Sequence, residues 1–425
     1  MHLALITAGG AGMFCGSCMH DNTLARALRA QGHQVTLIPL YTPIRVDEID
    51  VSEHRVFLGG INVYLAGRWP WWNRLPHWVR GWLDSPAVLR FVSRFAVSSD
   101  ARELGDLTVA LLKGDHGPHR EAIAELVAWV ATELRPDCVV LSNALLGGVV
   151  PLLRQTYRGP VWSLLQGDDI FLNDLVEPYR SQAFAQMRDL MPQFTGFLTH
   201  SDYYRQEMSR QLAFPVGQAR VVPLGIDFTG HDGQPRRGAQ EPFTIGYFAR
   251  ICPEKGLHNL VEAFRRLHAR HPHTRLRAAG FLGARDQAWF DQLQRDAADL
   301  GPAFEYCGSP PDHAGKVAFL KSLDLFSVPT SYREPKGLSI LEAQANGVPV
   351  VQPRHGAFPE LLEATGGGLL VEPGSAEALA EGLERLLLDN SLRTGLATTG
   401  WQRVRESFSM ERMARETAAV LQATG

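Results

Sequence analysis

LALITAGGAGMFCGSCMHDNTLARALRAQGHQVTLIPL, residues 3–40, is the stretch on which the fold class turns. Residues 3–7 are an apolar run of strand length. Gly9, Gly10, Gly12 and Gly16 follow as a loop. Residues 22–31 carry helical spacing at Leu24, Ala27 and Leu28, and Gly32 stands where a helix C-terminal cap belongs. Residues 35–40 form the next apolar run. The reading is strand, glycine turn, helix, strand: a βαβ unit with its glycines after the first strand.

Further along, the rhythm repeats. Residues 138–141 and 161–165 read as buried parallel strands, and 196–199 as a strand before a helix that begins near Ser201. The run 221–227, VVPLGID, closes this half. Residues 228–241 are rich in Gly, Pro, Arg and Gln and read as a linker. A second series follows: strands at 243–247, 275–280, 325–328 and 348–351, with helices at 256–269, 286–300, 338–346 and 376–388. A chain of 425 residues suits two domains of about 200 residues each. The expected fold is α/β, with two doubly wound Rossmann-like domains at 1–227 and 242–404. Ligands of such sheets bind beyond the carboxyl ends of the strands. For two opposed sheets that place is a central cleft.

Composition narrows the function. The chain is 45% hydrophobic and 20% charged, as globular proteins are, and its net charge of −3 argues against a nucleic-acid partner. Residues 1–8 lack a basic n-region, and no apolar run reaches the ~18 residues of a membrane span. A cytoplasmic location with reduced thiols is the expectation. Of the cysteines at 15, 18, 138, 252 and 307, only Cys15 and Cys18 are close. A CxxC pair serves redox chemistry or half a zinc site. With no second CxxC or HxxxH, packing in a tight glycine loop is the preferred reading. Residues 66–95 cluster Trp69, Trp71, Trp72, Trp78 and Trp82 with Arg68, Arg74, Arg80, Arg90 and Arg94. An inserted helical subdomain carrying the acceptor pocket is preferred there. Peripheral contact with the inner face of a membrane is the second reading.

Two segments carry the chemistry. Residues 334–342, EPKGLSILE, place two glutamates eight residues apart, one in a loop and one on the following helix. Free backbone amides at Gly337, Leu338 and Ser339 make an anion site where that helix begins. Carboxylates only accept hydrogen bonds and so suit vicinal hydroxyls. Phosphate in the middle with hydroxyls at both ends describes a nucleotide sugar. Residues 246–256, GYFARICPEKG, follow a strand and open a helix. Arg250 and Lys255 there are suited to binding a diphosphate and stabilising its charge as it leaves.

Together these segments resemble the retaining glycosyltransferases of the glycogen-synthase and sucrose-synthase clan, in the large family numbered four. The matching residues are Glu334 with Glu342, the run 345–351 (ANGVPVV), Gly356 with Pro359 and Glu360, Arg250 with 254–256 (EKG), and 222–227 (VPLGID). The N-terminal glycine loop, 32–35 (GHQV) and 39–43 (PLYTP) also match. The resemblance covers most of the chain except about 44–130. It implies the GT-B fold, with the donor held by the C-terminal domain and a final helix, 405–425, crossing back to the N-terminal one. Arg250, Lys255 and Glu334 then stand as catalytic residues. Arg250 and Lys255 hold the donor phosphates, Glu334 the sugar hydroxyls, Glu342 the ribose, and the amides of Gly337 and Leu338 complete the phosphate site. Gly10 and Gly12 let their loop approach the diphosphate.

The family pattern implies neither a metal nor a cofactor, and the nucleotide-diphosphate sugar is substrate. Its hexose goes to a hydroxyl acceptor that is a saccharide, a lipid-linked group or a small molecule. Same-face displacement through an oxocarbenium-like state is the implied route. One departure stands out. Where the family has His-Gly-x-Asp, this chain has Gln166-Gly167-Asp168-Asp169. Gln166 and Asp168 remain donor-contact candidates, without a titrating ring. The alternatives are a nucleotide-sugar epimerase or a retaining phosphorylase on the same fold, or a non-catalytic carbohydrate-binding relic.

Overall fold

Parallel strands dominate the computed structural model, which describes residues 1–9, 15–58, 101–236, 238 and 240–423. The chain divides into two units, Met1–Pro223 with Met413–Gly425, and Leu224–Arg412. In the first unit the strands are β1 (His2–Thr7), β2 (Gln34–Pro39), β3 (Cys138–Leu141), β4 (Val161–Leu164), β5 (Gly196–Thr199) and β6 (Ala219–Val221). Their order is β2-β1-β3-β4-β5-β6, parallel throughout. β3, β4 and β5 are buried along their whole length, which is why they read as mostly apolar runs rather than alternating ones. Phe197 on β5 stacks on Phe214 with ring centroids 4.2 Å apart and meets Phe194 at 5.4 Å.

Helix α1 (Gly16–Ala30) begins six residues before the expected start at 22. Its first turns bury His20, Asp21, Asn22 and Thr23, which break the apolar period. Asn22 explains its own burial. Its side-chain amide donates to the Ile49 carbonyl at 2.9 Å and accepts from the Val51 amide at 3.0 Å, pinning the segment that follows β2. Gly10 and Gly12 and the tryptophan-rich 66–95 segment lie outside the described residues.

The second unit carries β7 (Phe243–Phe248), β8 (Thr274–Ala279), β9 (Phe304–Tyr306), β10 (Leu325–Phe326), β11 (Val350–Pro353) and β12 (Gly368–Val371). The order is β12-β11-β10-β7-β8-β9, again parallel. Helices α2 (Leu257–Arg270), α3 (His313–Lys321), α4 (Leu338–Ala345) and α5 (Asn390–Ser407) belong to this unit. α2 buries Leu257, Leu260, Val261, Phe264 and Leu267, one apolar stripe at helical spacing. Each such side chain contributes about 1.5–3 kcal/mol when fully buried. Residues 228–241, expected as a linker, are packed along this unit. The Trp401 indole donates to the Gly233 carbonyl at 2.8 Å, and His231 meets Asn346 at 2.7 Å. The last expected helix, 405–425, is instead α5 followed by α6 (Met410–Gln422). No helix among the described residues is long and apolar enough to cross a membrane.

Candidate active site

In each sheet the strand order reverses once: between β1 and β3 in the first, and between β7 and β10 in the second. Open α/β sheets bind ligands at such reversals, beyond the carboxyl ends of the strands. In the second unit the chain leaving β7 there carries Arg250 and Lys255, and the chain leaving β10 carries Glu334.

Gly256 lets the two loops meet. Its φ is +76°, and a Cβ there would lie 1.8 Å from the Pro329 carbonyl oxygen. The Ser331 amide then donates to the Glu254 carbonyl at 2.9 Å. Lys255 is thereby set against Glu334, with its Nζ 2.9 Å from Oε2. The Tyr332 hydroxyl donates to the same oxygen at 2.8 Å, and the Lys255 ammonium stands 5.0 Å from the Tyr332 ring centroid. Gly356, at φ +60°, touches Glu334 from the far side, where the Ala357 amide donates to the Glu334 carbonyl at 2.8 Å. Glu334 is only 8% exposed. Burial alone would raise its pKa. The Lys255 ammonium, the Tyr332 hydroxyl and the Lys336 charge outweigh that and hold the carboxyl down at about 2.

Gly337, at φ +83°, opens α4, and no side chain caps that helix. Its amide reaches back to Glu334 Oε1 at 3.4 Å. Arg250 is exposed, and among the described residues its guanidinium makes no ion pair. A guanidinium without an ion pair, an ammonium and an uncapped helix N-terminus together form a site suited to a multiply charged anion.

Glu342 lies one turn into α4 and is buried. Its Oε1 meets the Lys316 ammonium of α3 at 2.7 Å. Sequence reading missed Lys316. A lysine in the middle of a helix with apolar neighbours looks like a solvated surface residue, and only the fold turns it inward.

The first-unit candidates have internal partners. Gln166 donates through Nε2 to Asp21 Oδ1 at 3.0 Å and to the Ser142 carbonyl at 2.9 Å. Asp168 accepts the Ala144 amide at 2.6 Å and the Gln166 amide at 2.9 Å, so it braces the loops leaving β3 and β4. Burial raises its pKa to about 6. Asp169 accepts the Tyr204 hydroxyl at 2.6 Å. Both hydrogens of the Gln166 amide are therefore committed inside the protein.

Residues 234–403 match the family model of the glycosyl transferases group 1. That stretch holds Arg250, Lys255, Glu334, Gly337, Leu338 and Glu342. The WcaL protein of Escherichia coli (strain K12) is 28% identical over 313 residues, 71% of this chain and 74% of its own. A glycogen synthase of Mycobacterium tuberculosis is 26% identical over 342 residues, 79% of this chain and 81% of its own. Among solved structures, a sucrose-phosphate synthase from Thermosynechococcus elongatus superposes with a TM-score of 0.72 at 19% identity, covering 100% of this chain and 98% of the other. Anabaena Alr3699/HepE, solved in complex with UDP, superposes at 0.68 with 16% identity over 100% of both chains. The fold is GT-B, residues 234–403 match the glycosyl transferases group 1 model, and the chain that carries them is a glycosyltransferase.

Proposed function

We propose that the chain moves a hexose from a nucleotide-diphosphate sugar to a hydroxyl acceptor, with retention of anomeric configuration and without a divalent metal. The observation that carries this reading is the cluster of Lys255, Glu334 and Tyr332 at the strand-order reversal, beside exposed Arg250 and the uncapped start of α4. UDP and UDP-glucose complexes of the structurally similar Anabaena protein support a nucleoside diphosphate as the leaving group.

In this reading Arg250 and Lys255 take the diphosphate, together with the amides of Gly337 and Leu338. Glu334 accepts from sugar hydroxyls while Lys255 and Tyr332 keep it charged. The bond from the anomeric carbon to the phosphate oxygen breaks, and the bond to the acceptor oxygen forms on the same face. The acceptor's proton passes to the departing phosphate oxygen. Residues here position groups and compensate charge, which is where most of the rate comes from in a water-poor site.

The test offers UDP-, GDP- and ADP-sugars with saccharide, lipid-linked and small hydroxyl acceptors. Released nucleoside diphosphate is measured, and the anomeric configuration of the product is read by NMR. Transfer with retained configuration is expected. An inverted product excludes the same-face route. Isomerised donor without transfer points to an epimerase, and sugar phosphate formed from inorganic phosphate points to a phosphorylase.

A further inference from the structure

The charge pair between Lys316 and Glu342 is buried on both sides, with side chains 3% and 6% exposed. Lysine is almost never fully buried unless paired. A buried pair is seldom better for stability than apolar residues of the same size. Stability is therefore a weak reason for Lys316 to be there.

Position supplies a better one. Glu342 follows Leu338 by four residues, which places it on the same helix face about 6 Å along the axis from the start of α4. That distance is comparable to the span from a nucleotide's phosphate to its ribose hydroxyls. The surroundings are rigid. Asn346 Nδ2 donates to the Glu342 carbonyl at 2.9 Å and meets His231 Nδ1 at 2.7 Å. Arg405 donates to the Ala345 carbonyl at 3.1 Å. Burial, reinforced by the Lys316 charge, pulls the His231 pKa down to about 3. The ring stays neutral and brings no positive charge to compete with Lys316 for the carboxylate.

We propose that Lys316 is a positioning residue that keeps Glu342 charged and acceptor-only toward the vicinal hydroxyls of the donor's ribose, and thereby makes the site prefer ribo- over 2′-deoxyribonucleotides. The proposal rests on the donor reading of Glu342 given above. A buried carboxylate without its cation takes up a proton. A protonated carboxyl donates as well as accepts, and the preference for paired hydroxyl donors fades.

Calorimetric titration of the full chain with UDP, GDP and ADP, and with their 2′-deoxy counterparts, tests it. The diphosphate that binds wild type is expected to bind about ten- to a hundredfold more tightly than its deoxy form, the range for a hydrogen bond to a charged group. Lys316→Met should bring that ratio close to one while inorganic pyrophosphate binds as before, and Lys316→Arg should restore most of it. Lys316→Met/Glu342→Gln leaves no unpaired buried charge and serves if the single variant folds poorly; its ratio should equal that of Glu342→Gln. A wild type that discriminates, with Lys316→Met discriminating equally, overturns this proposal alone. A wild type that binds none of the diphosphates overturns the donor reading with it.

Discussion

Glu334 and Arg250 stand in different surroundings. Glu334 is buried and anionic beside Lys255, whereas Arg250 is exposed and has no ion-pair partner among the described residues. Arg250→Ala should therefore slow transfer about a hundredfold, the cost of roughly 3 kcal/mol of lost charge stabilisation. Its unfolding midpoint should hardly move, because an exposed side chain without an ion-pair partner seldom changes stability by more than about 0.5 kcal/mol. Lys255→Ala should lose turnover and stability together, since it strands a buried carboxylate at a cost of about 3–5 kcal/mol. Steady-state rates and urea unfolding separate the two. Near-normal turnover in Arg250→Ala would remove it from the site. Asp168 supplies a pH dependence. Its folded pKa, about 6, lies above the ordinary 3.8, so the folded chain holds that proton more tightly than the unfolded one. Its contribution to stability is complete below about pH 3.8 and is lost as pH rises through about 6. Asp168→Asn should flatten that part of the stability profile, and an unchanged slope would contradict the assignment. The second-unit site was legible because its residues sit in two short segments, 246–256 and 334–342. Gln166 was read only halfway. Its partners Asp21 and Ser142 lie 145 and 24 residues away in the chain, and no local pattern records that meeting.

Gly256 decides whether the loop after β7 can reach the loop after β10. Gly256→Ala would place its Cβ against the Pro329 carbonyl at a positive φ. Strain of about 1–2 kcal/mol from the backbone and about 1–3 kcal/mol from overpacking is expected, with Lys255 displaced from Glu334. Urea unfolding should show the loss, and transfer should fall with it. A variant as stable and active as wild type would mean that the two loops are not locked together there. The strands that sequence reading located, such as β3 and β5, are fully buried runs of four residues. It missed β9 and β12, which are short and whose residues are only half buried. The 228–241 segment misled for a similar reason. Few apolar residues suggested a free connection, yet hydrogen bonds to Asn346 and Trp401 hold it on the second unit.

Two parallel sheets with one order reversal each give this chain two places where ligands belong, and Arg250 and Lys255 stand at the second-unit reversal. That arrangement makes a chemical choice. A departing diphosphate must have its charge compensated by a divalent cation or by fixed cationic side chains and helix dipoles. Magnesium bound at a diphosphate usually takes one or two carboxylates from the protein. Here Glu334 is held by Lys255 and Tyr332, and Glu342 by Lys316. In the proposed reading, Arg250, Lys255 and the start of α4 take that role instead. Transfer should therefore persist at its full rate after exhaustive EDTA treatment, with sugar release followed under otherwise identical conditions. Added Mg²⁺ or Mn²⁺ should change the rate less than twofold, whereas Arg250→Ala in the same assay should still lose about a hundredfold. Activity abolished by EDTA and restored by either ion would show that the side-chain cations do not suffice, and a metal would then have to be placed beside them.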